Sequence, residues 1–145
     1  MGIEEELQRY AVLIENYRAQ LESLENQFSL IQAAIAEYSK ARQTVEKLGE
    51  TENETEVLIP LGGGVFAYGK TITTSKVLTD IGEGILVEKT LSDAVKTLDK
   101  RIENLQQSQD TISRMTQRIQ EELAEVTSKA QKLLEEQRKT TDKES

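Results

Sequence analysis

The feature that most restricts what this chain can fold into is a heptad pattern. From Ile3 onward, apolar residues recur in alternating steps of four and three: Ile3, Leu7, Tyr10, Ile14, Tyr17, Leu21, Leu24, Phe28, Ile31, Ile35 and Tyr38, then Arg42 and Val45. That spacing keeps one seam of an α-helix turned toward a partner helix, and it persists for about six repeats with one polar interruption. Glu4, Glu5 and Glu6 suit the positive end of a helix dipole and Lys47 the negative end, while Gly49 follows Leu48 as a stop signal. The spacing predicts a helix over 3–48.

A second periodic stretch runs Leu91, Val95, Leu98, Ile102, Leu105, Gln109, Ile112, Thr116, Ile119, Leu123, Val126, Ala130, Leu133 and Gln137. Thr90 with Asp93 three residues on reads as a capping box, and Arg138 with Lys139 complements the dipole at the far end, so a helix is predicted over 91–139 with a tail at 140–145. Each helix has about 46 to 49 residues, roughly 70 Å at about 1.5 Å per residue. If the chain reverses between them, Val45 comes level with Leu91 and Ile3 with Leu133, and the two seams face each other along their length. Arg42, Gln109 and Thr116 read as register-setting or tolerated polar positions, and seam residues such as Leu24 and Ile102 as structural.

The connecting segment changes character. A polar linker, 49–56, precedes the runs Val57-Leu58-Ile59-Pro60-Leu61, Val65-Phe66-Ala67-Tyr68, Val77-Leu78-Thr79-Asp80-Ile81 and Ile85-Leu86-Val87, punctuated by Gly62-Gly63-Gly64 and Gly82-Glu83-Gly84. Short β-rich runs between glycine turns predict two hairpins over 57–89. Isolated hairpins are marginal in water, and these carry apolar residues on both faces. A partner must therefore cover them. The expected subunit interface comprises Val57, Leu58, Ile59, Leu61, Val65, Phe66, Tyr68, Val77, Leu78, Ile81, Ile85, Leu86 and Val87. The fold class is α+β, mainly α: a long antiparallel two-helix coiled coil with two central β-hairpins that join an oligomeric β-barrel body, in one domain.

Composition agrees and narrows the function. Only 37% of residues are apolar and 4% aromatic, which suits a thin seam better than a thick layered core. A net charge of −8 without any Lys/Arg cluster argues against nucleic acid or an anionic membrane as partner. Cysteine and histidine are absent, which removes disulfides, thiolate and imidazole metal sites, thiol nucleophiles and imidazole triads. No stretch is apolar enough to span a bilayer and the acidic N-terminus is unlike a signal peptide, so a soluble, cytoplasmic protein is expected. Met1-Gly2 lacks the Ser or Thr at position 6 that N-myristoylation wants, since Glu6 stands there.

Gly64-Val65-Phe66-Ala67-Tyr68-Gly69-Lys70-Thr71 matches the phosphate-loop pattern G-x-x-x-x-G-K-[ST]. A phosphate loop needs its glycines between a strand and a helix N-terminus, whereas strand formers fill this segment and Ile72-Thr73-Thr74-Ser75 follows it. The hairpin reading is preferred, with no cofactor, no metal and no enzymatic activity; magnesium-dependent ATP binding lost in Lys70→Ala would reverse this. Near the start of the first helix, Tyr10-Ala11-Val12-Leu13-Ile14 is a continuous apolar run, so Val12 and Leu13 point partly away from the seam, and Leu133-Leu134 does the same near the end of the second. These residues either widen the packing at the helix ends or offer a hydrophobic groove to another protein.

Leu58-Ile59-Pro60-Leu61-Gly62-Gly63-Gly64, Val77-Leu78-Thr79-Asp80-Ile81-Gly82-Glu83-Gly84-Ile85-Leu86-Val87-Glu88-Lys89 and the helix start Leu91-Ser92-Asp93-Ala94 resemble the α-type subunits of the prefoldin co-chaperone family, in its archaeal form. The resemblance covers the whole chain, since a helix, two hairpins and a helix is the α-type layout and the β type has one hairpin. It implies a hexamer of two α-type and four β-type prefoldin subunits, with joined β barrels and six coiled-coil arms. It implies arm tips that hold non-native client proteins and pass them to a group II chaperonin without nucleotide hydrolysis. By position in the arm, the client-binding residues would be Ile3, Leu7, Tyr10, Val12, Leu13, Val126, Ala130, Leu133 and Leu134. The competing reading is a passive oligomeric scaffold or tether.

Overall fold

The computed structural model describes residues 2–144. Helix α1 spans Ile3–Gly49, followed by strands β1 (Glu56–Gly62), β2 (Val65–Lys70), β3 (Lys76–Asp80) and β4 (Leu86–Thr90), and then helix α2 (Leu91–Glu144). The chain forms two compact units: one joins α1 through Gln32 to α2 from Gln107 onward, and the other comprises Ala33–Gln106.

Helix α2 passes the expected stop at Lys139. Nothing from Thr140 to Glu144 breaks a helix, and the Thr140 and Thr141 hydroxyls donate to the Glu136 and Gln137 carbonyls at 3.0 and 2.9 Å, the usual helical use of a threonine side chain. At its start, the Thr90 hydroxyl accepts a hydrogen bond from the Asp93 amide at 3.2 Å, as the capping signal predicts.

The first unit is a helix pair. Leu24 and Ile112 are buried, and Gln109 donates across the pair to Gln32 at 2.7 Å. Tyr17 lies against the Glu122 carboxylate, and desolvation first, then Glu122 and Glu125, raise its phenol above the ordinary range. The folded state then keeps a proton that the unfolded chain has released, so this contact weakens as pH climbs past the phenol's ordinary value.

In the second unit α1 and α2 meet again. Arg42 bridges Asp99 across the pair and Glu46 along its own helix, and the hydrogen bond to Asp99, followed by the charges of both carboxylates, holds its guanidinium protonated still more firmly than usual. Gly49 sits against Leu91, where an added Cβ would lie 3.0 Å from the leucine's Cδ1. Ala94 and Leu98 are buried here.

These contacts correct the expected register by about one helical turn. Leu91 lies level with Gly49, and Val45 with Val95. The alternation of four and three explains the shift. Read backward from Val45, the seam steps by three and then four; on α2 the same order begins at Val95 and not at Leu91, so knobs meet holes only in the shifted alignment. In the first unit the same rule sets Leu24 beside Thr116, Tyr10 beside Ala130 and Leu7 beside Leu133.

Strands β1 and β2 form one antiparallel hairpin and β3 and β4 another, each a separate two-stranded sheet. Gly62, Gly63 and Gly64 all have positive φ (103°, 59° and 81°), a turn that side chains would resist, and the register shifts between Pro60 and Gly62 so that Leu61 bulges. Gly69 lets Ile59 lie across the strand pair, since a Cβ there would fall 2.8 Å from Ile59 Cδ1. The second hairpin is tied to α2, and one of the tying residues also reaches α1. Arg101 on α2 donates to the Asp80 carbonyl and lies over the Tyr38 ring of α1 at 5.9 Å, and Lys89 donates to the Thr97 hydroxyl at 2.9 Å.

Within the second turn Glu83 has φ of 52°, a left-handed conformation costing an ordinary residue about 1 kcal/mol. Glu83→Gly is therefore expected to raise stability by roughly 0.5 kcal/mol, the gain being partly offset by the looser unfolded chain. Urea denaturation of the two proteins measures it.

Candidate functional site

Two sets of apolar side chains lack cover. The first belongs to the hairpins. In the β1/β2 pair, Leu58 faces Tyr68 and Pro60 faces Phe66 on one side, with Val57, Ile59, Ala67 and Gly69 on the other. Leu58, Phe66 and Tyr68 are all exposed, Tyr68 to 82%. In the β3/β4 pair Leu78 faces Glu88 and Asp80 faces Leu86, and both leucines are exposed, while Val77, Thr79 and Lys89 on the reverse side are half-buried. Leu61, Val65, Ile81 and Ile85 are exposed at or beside the turns, and Ile59 and Val87 are also open to solvent. Val57 is half-buried.

Ile72 is an apolar residue that strand periodicity missed. It is 93% exposed, in the loop between the hairpins. That loop is held against the linker: the Asn53 side-chain oxygen accepts from both the amide and the hydroxyl of Thr74, at 3.1 and 3.2 Å, and the Thr71 amide donates to the Thr55 carbonyl at 3.0 Å. The polar residues around Ile72 bond to one another and leave it nothing to pack on. Its adjacency to the β2 run was the only signal available in the sequence.

The second set lies in the first unit. Ile3, Leu7 and Tyr10 on α1 and Val126, Ala130 and Leu133 on α2 are half-buried in the seam. Val12, Leu13 and Leu134 are exposed, Val12 to 58%. Val12 and Leu13 border a shallow groove of about 500 Å³ that also touches Glu5, Gln8 and Arg9. Residues 5, 8, 9 and 12 form an i, i+3, i+4, i+7 stripe, so the groove runs along the outer side of α1 and not between the helices. The expected pairing of Leu133 with Ile3 is corrected by the register, which sets Leu133 beside Leu7. Phe28, Leu30 and Met115 are further exposed apolar residues of this unit.

The phosphate-loop match does not have phosphate-loop geometry. Gly64 lies in the hairpin turn, Val65–Lys70 is strand β2, and the next element is strand β3, so no helix N-terminus follows the lysine. Among the described residues no cluster of carboxylates is arranged to hold a metal ion, and no helix is long and apolar enough to cross a membrane.

The family model for the prefoldin subunit matches residues 17–136. Prefoldin subunit alpha of Archaeoglobus fulgidus is 30% identical over 117 residues, covering 81% of this chain and 85% of that one. Prefoldin subunit alpha of Methanococcus aeolicus is 36% identical over 101 residues, covering 70% and 68%. Among solved structures, a filamentous PFD chain from Methanocaldococcus jannaschii superposes with a TM-score of 0.73 at 21% identity, over 80% of this chain and 96% of that one. The prefoldin beta subunit of Thermococcus strain KS-1 gives a TM-score of 0.60, also at 21% identity, over 90% and 94%. Two helices flanking two hairpins, a match to the family model over most of the length and relatives that are themselves alpha subunits lead to one conclusion: this chain belongs to the prefoldin family of chaperones, with the α-type subunits.

Proposed function

We propose that the chain is a subunit of an ATP-independent holdase that grips non-native polypeptides at the ends of its helix pair and delivers them to a cytoplasmic group II chaperonin. In this reading its hairpins join those of β-type subunits, two α-type and four β-type chains making the hexamer. The observation that carries it is the exposure of Val12, Leu13 and Leu134 beside a seam that needs none of them. A helix pair serving only as a spacer gains nothing from such residues.

The physics suits reversible holding. A shallow groove takes one or two client side chains, each worth about 1.5–3 kcal/mol when fully buried. The entropy of association consumes most of that, so a single contact is weak. Several arms gripping one unfolded chain convert weak contacts into retention by effective concentration, while each contact still breaks quickly enough for hand-over.

Val12→Ser, Leu13→Ser and Leu134→Ser combined is the direct test. All three positions are exposed, so helix content and assembly with β-type subunits are expected to stay as they were. Suppression of aggregation of a chemically unfolded protein, measured by light scattering without ATP, is expected to fall severalfold. Undiminished suppression by the triple variant would favour the passive scaffold.

A further inference from the structure

Away from its open end, the helix pair of the first unit fails to close over its own seam. Leu24 is buried, but the residue beside it on α2 is Thr116, a short polar side chain between the large apolar seam residues Ile112 and Ile119. A groove of about 480 Å³ results on one flank, with Leu21, Leu24 and Phe28 along α1 and Thr116, Gln117 and Gln120 along α2. Phe28 remains 37% exposed although it sits on the seam. The volume lies within the range of ligand cavities, about 300–1,000 Å³, and suits a short run of side chains.

Charge distinguishes this groove from the one beside Val12. Glu25 lines its α1 bank, and Glu22, three residues earlier, is its neighbour on the helix surface. Neither carboxylate forms an ion pair among the described residues; Arg18, a turn before Glu22, pairs with neither, and Arg118 is engaged with Glu122. None of the α2 residues that line the groove, Ser113, Thr116, Gln117 and Gln120, is charged, and the adjacent Arg114 donates back to the Asp110 carbonyl at 3.4 Å and pairs with neither carboxylate. An apolar floor beside two unpaired carboxylates complements a ligand that is apolar in the middle and cationic at its edges.

We infer that this groove is a second binding site for non-native polypeptide, separate from the helix ends and selective for a short apolar segment flanked by lysine or arginine. It shares with the proposed function the premise that the ligand is a non-native chain, and adds a selectivity that Val12, Leu13 and Leu134 do not supply.

The experiment uses the complex assembled with β-type subunits and two fluorescein-labelled peptides, Lys-Lys-Leu-Phe-Leu-Lys-Lys and Glu-Glu-Leu-Phe-Leu-Glu-Glu, read by fluorescence anisotropy. The lysine-flanked probe is expected to bind more tightly, and Glu22→Gln with Glu25→Gln to weaken it about fivefold at low ionic strength, an effect that added salt erases. Thr116→Leu, which fills the groove from within, is expected to abolish binding while raising the thermal midpoint, so loss of binding is separable from loss of folding. A benzophenone at Gln117 is expected to cross-link to the probe, with or without the Val12, Leu13 and Leu134 substitutions. Equal affinity for both peptides, binding that survives Thr116→Leu, or self-association without probe binding, which would assign the groove to a second copy, each overturns the inference. Failure of the holdase reading appears separately, as unchanged aggregation suppression in the triple serine variant.

Discussion

Leu58→Ser, Phe66→Ser and Tyr68→Ser, made together, are expected to leave the helices intact and abolish assembly. The three side chains occupy one face of the first hairpin, Leu58 directly opposite Tyr68 and Phe66 opposite Pro60. They are open to solvent in the isolated chain, so shortening them removes little from its own folding. At an interface, full burial of such residues is worth about 1.5–3 kcal/mol each, so their joint loss costs roughly 5–9 kcal/mol and lowers an association constant by about four to six powers of ten. Light scattering of the variant mixed with β-type subunits is expected to show separate chains, with far-UV circular dichroism unchanged. A complex of undiminished mass would mean that the exposed hairpin face plays no part in holding subunits together.

Leu24→Ala is the second substitution with a large expected effect, this time within the chain. Leu24 is 6% exposed, and among the described residues of that helix pair Ile112 on α2 is the other buried apolar side chain. Truncating a buried leucine to alanine costs about 2–5 kcal/mol, and the low end, about 2 kcal/mol, applies to a thin seam that can relax toward solvent. Leu30→Ala, at a residue 72% exposed, is the matched control and is expected to change stability by less than about 0.5 kcal/mol. Amide hydrogen exchange measures both. Faster exchange in Leu24→Ala is expected over residues 10–32 and 107–126, with the protection around Ala94 and Leu98 retained. Similar profiles for the two variants would show that burial at Leu24 does not hold this pair.

Much of the fold is legible in the sequence. Both helices follow from apolar spacing that no strand could satisfy, and both hairpins from glycine clusters that only a turn can use. The phosphate-loop match could be set aside on its strand-forming interior, and the structure makes that interior strand β2. The exposure of Val12, Leu13 and Leu134 could be anticipated too, because a helix seam takes only the fourth and third residue along and the surplus must point elsewhere.

What the linear pattern left undetermined is how the elements meet. A heptad repeats, so it supports several alignments of two antiparallel helices, and the choice fell to side chains far apart in the chain: Arg42 on Asp99, Gln32 on Gln109, Gly49 against Leu91. The contact of Arg101 with Tyr38 and the unfilled groove beside Thr116 depend on that alignment in the same way, and the protrusion of Ile72 depends on the bonds that tie its loop to the linker. Local preference is a property of neighbouring residues and can be read along the chain. Register and cavity come from pairs of residues that the chain brings together only once it has folded.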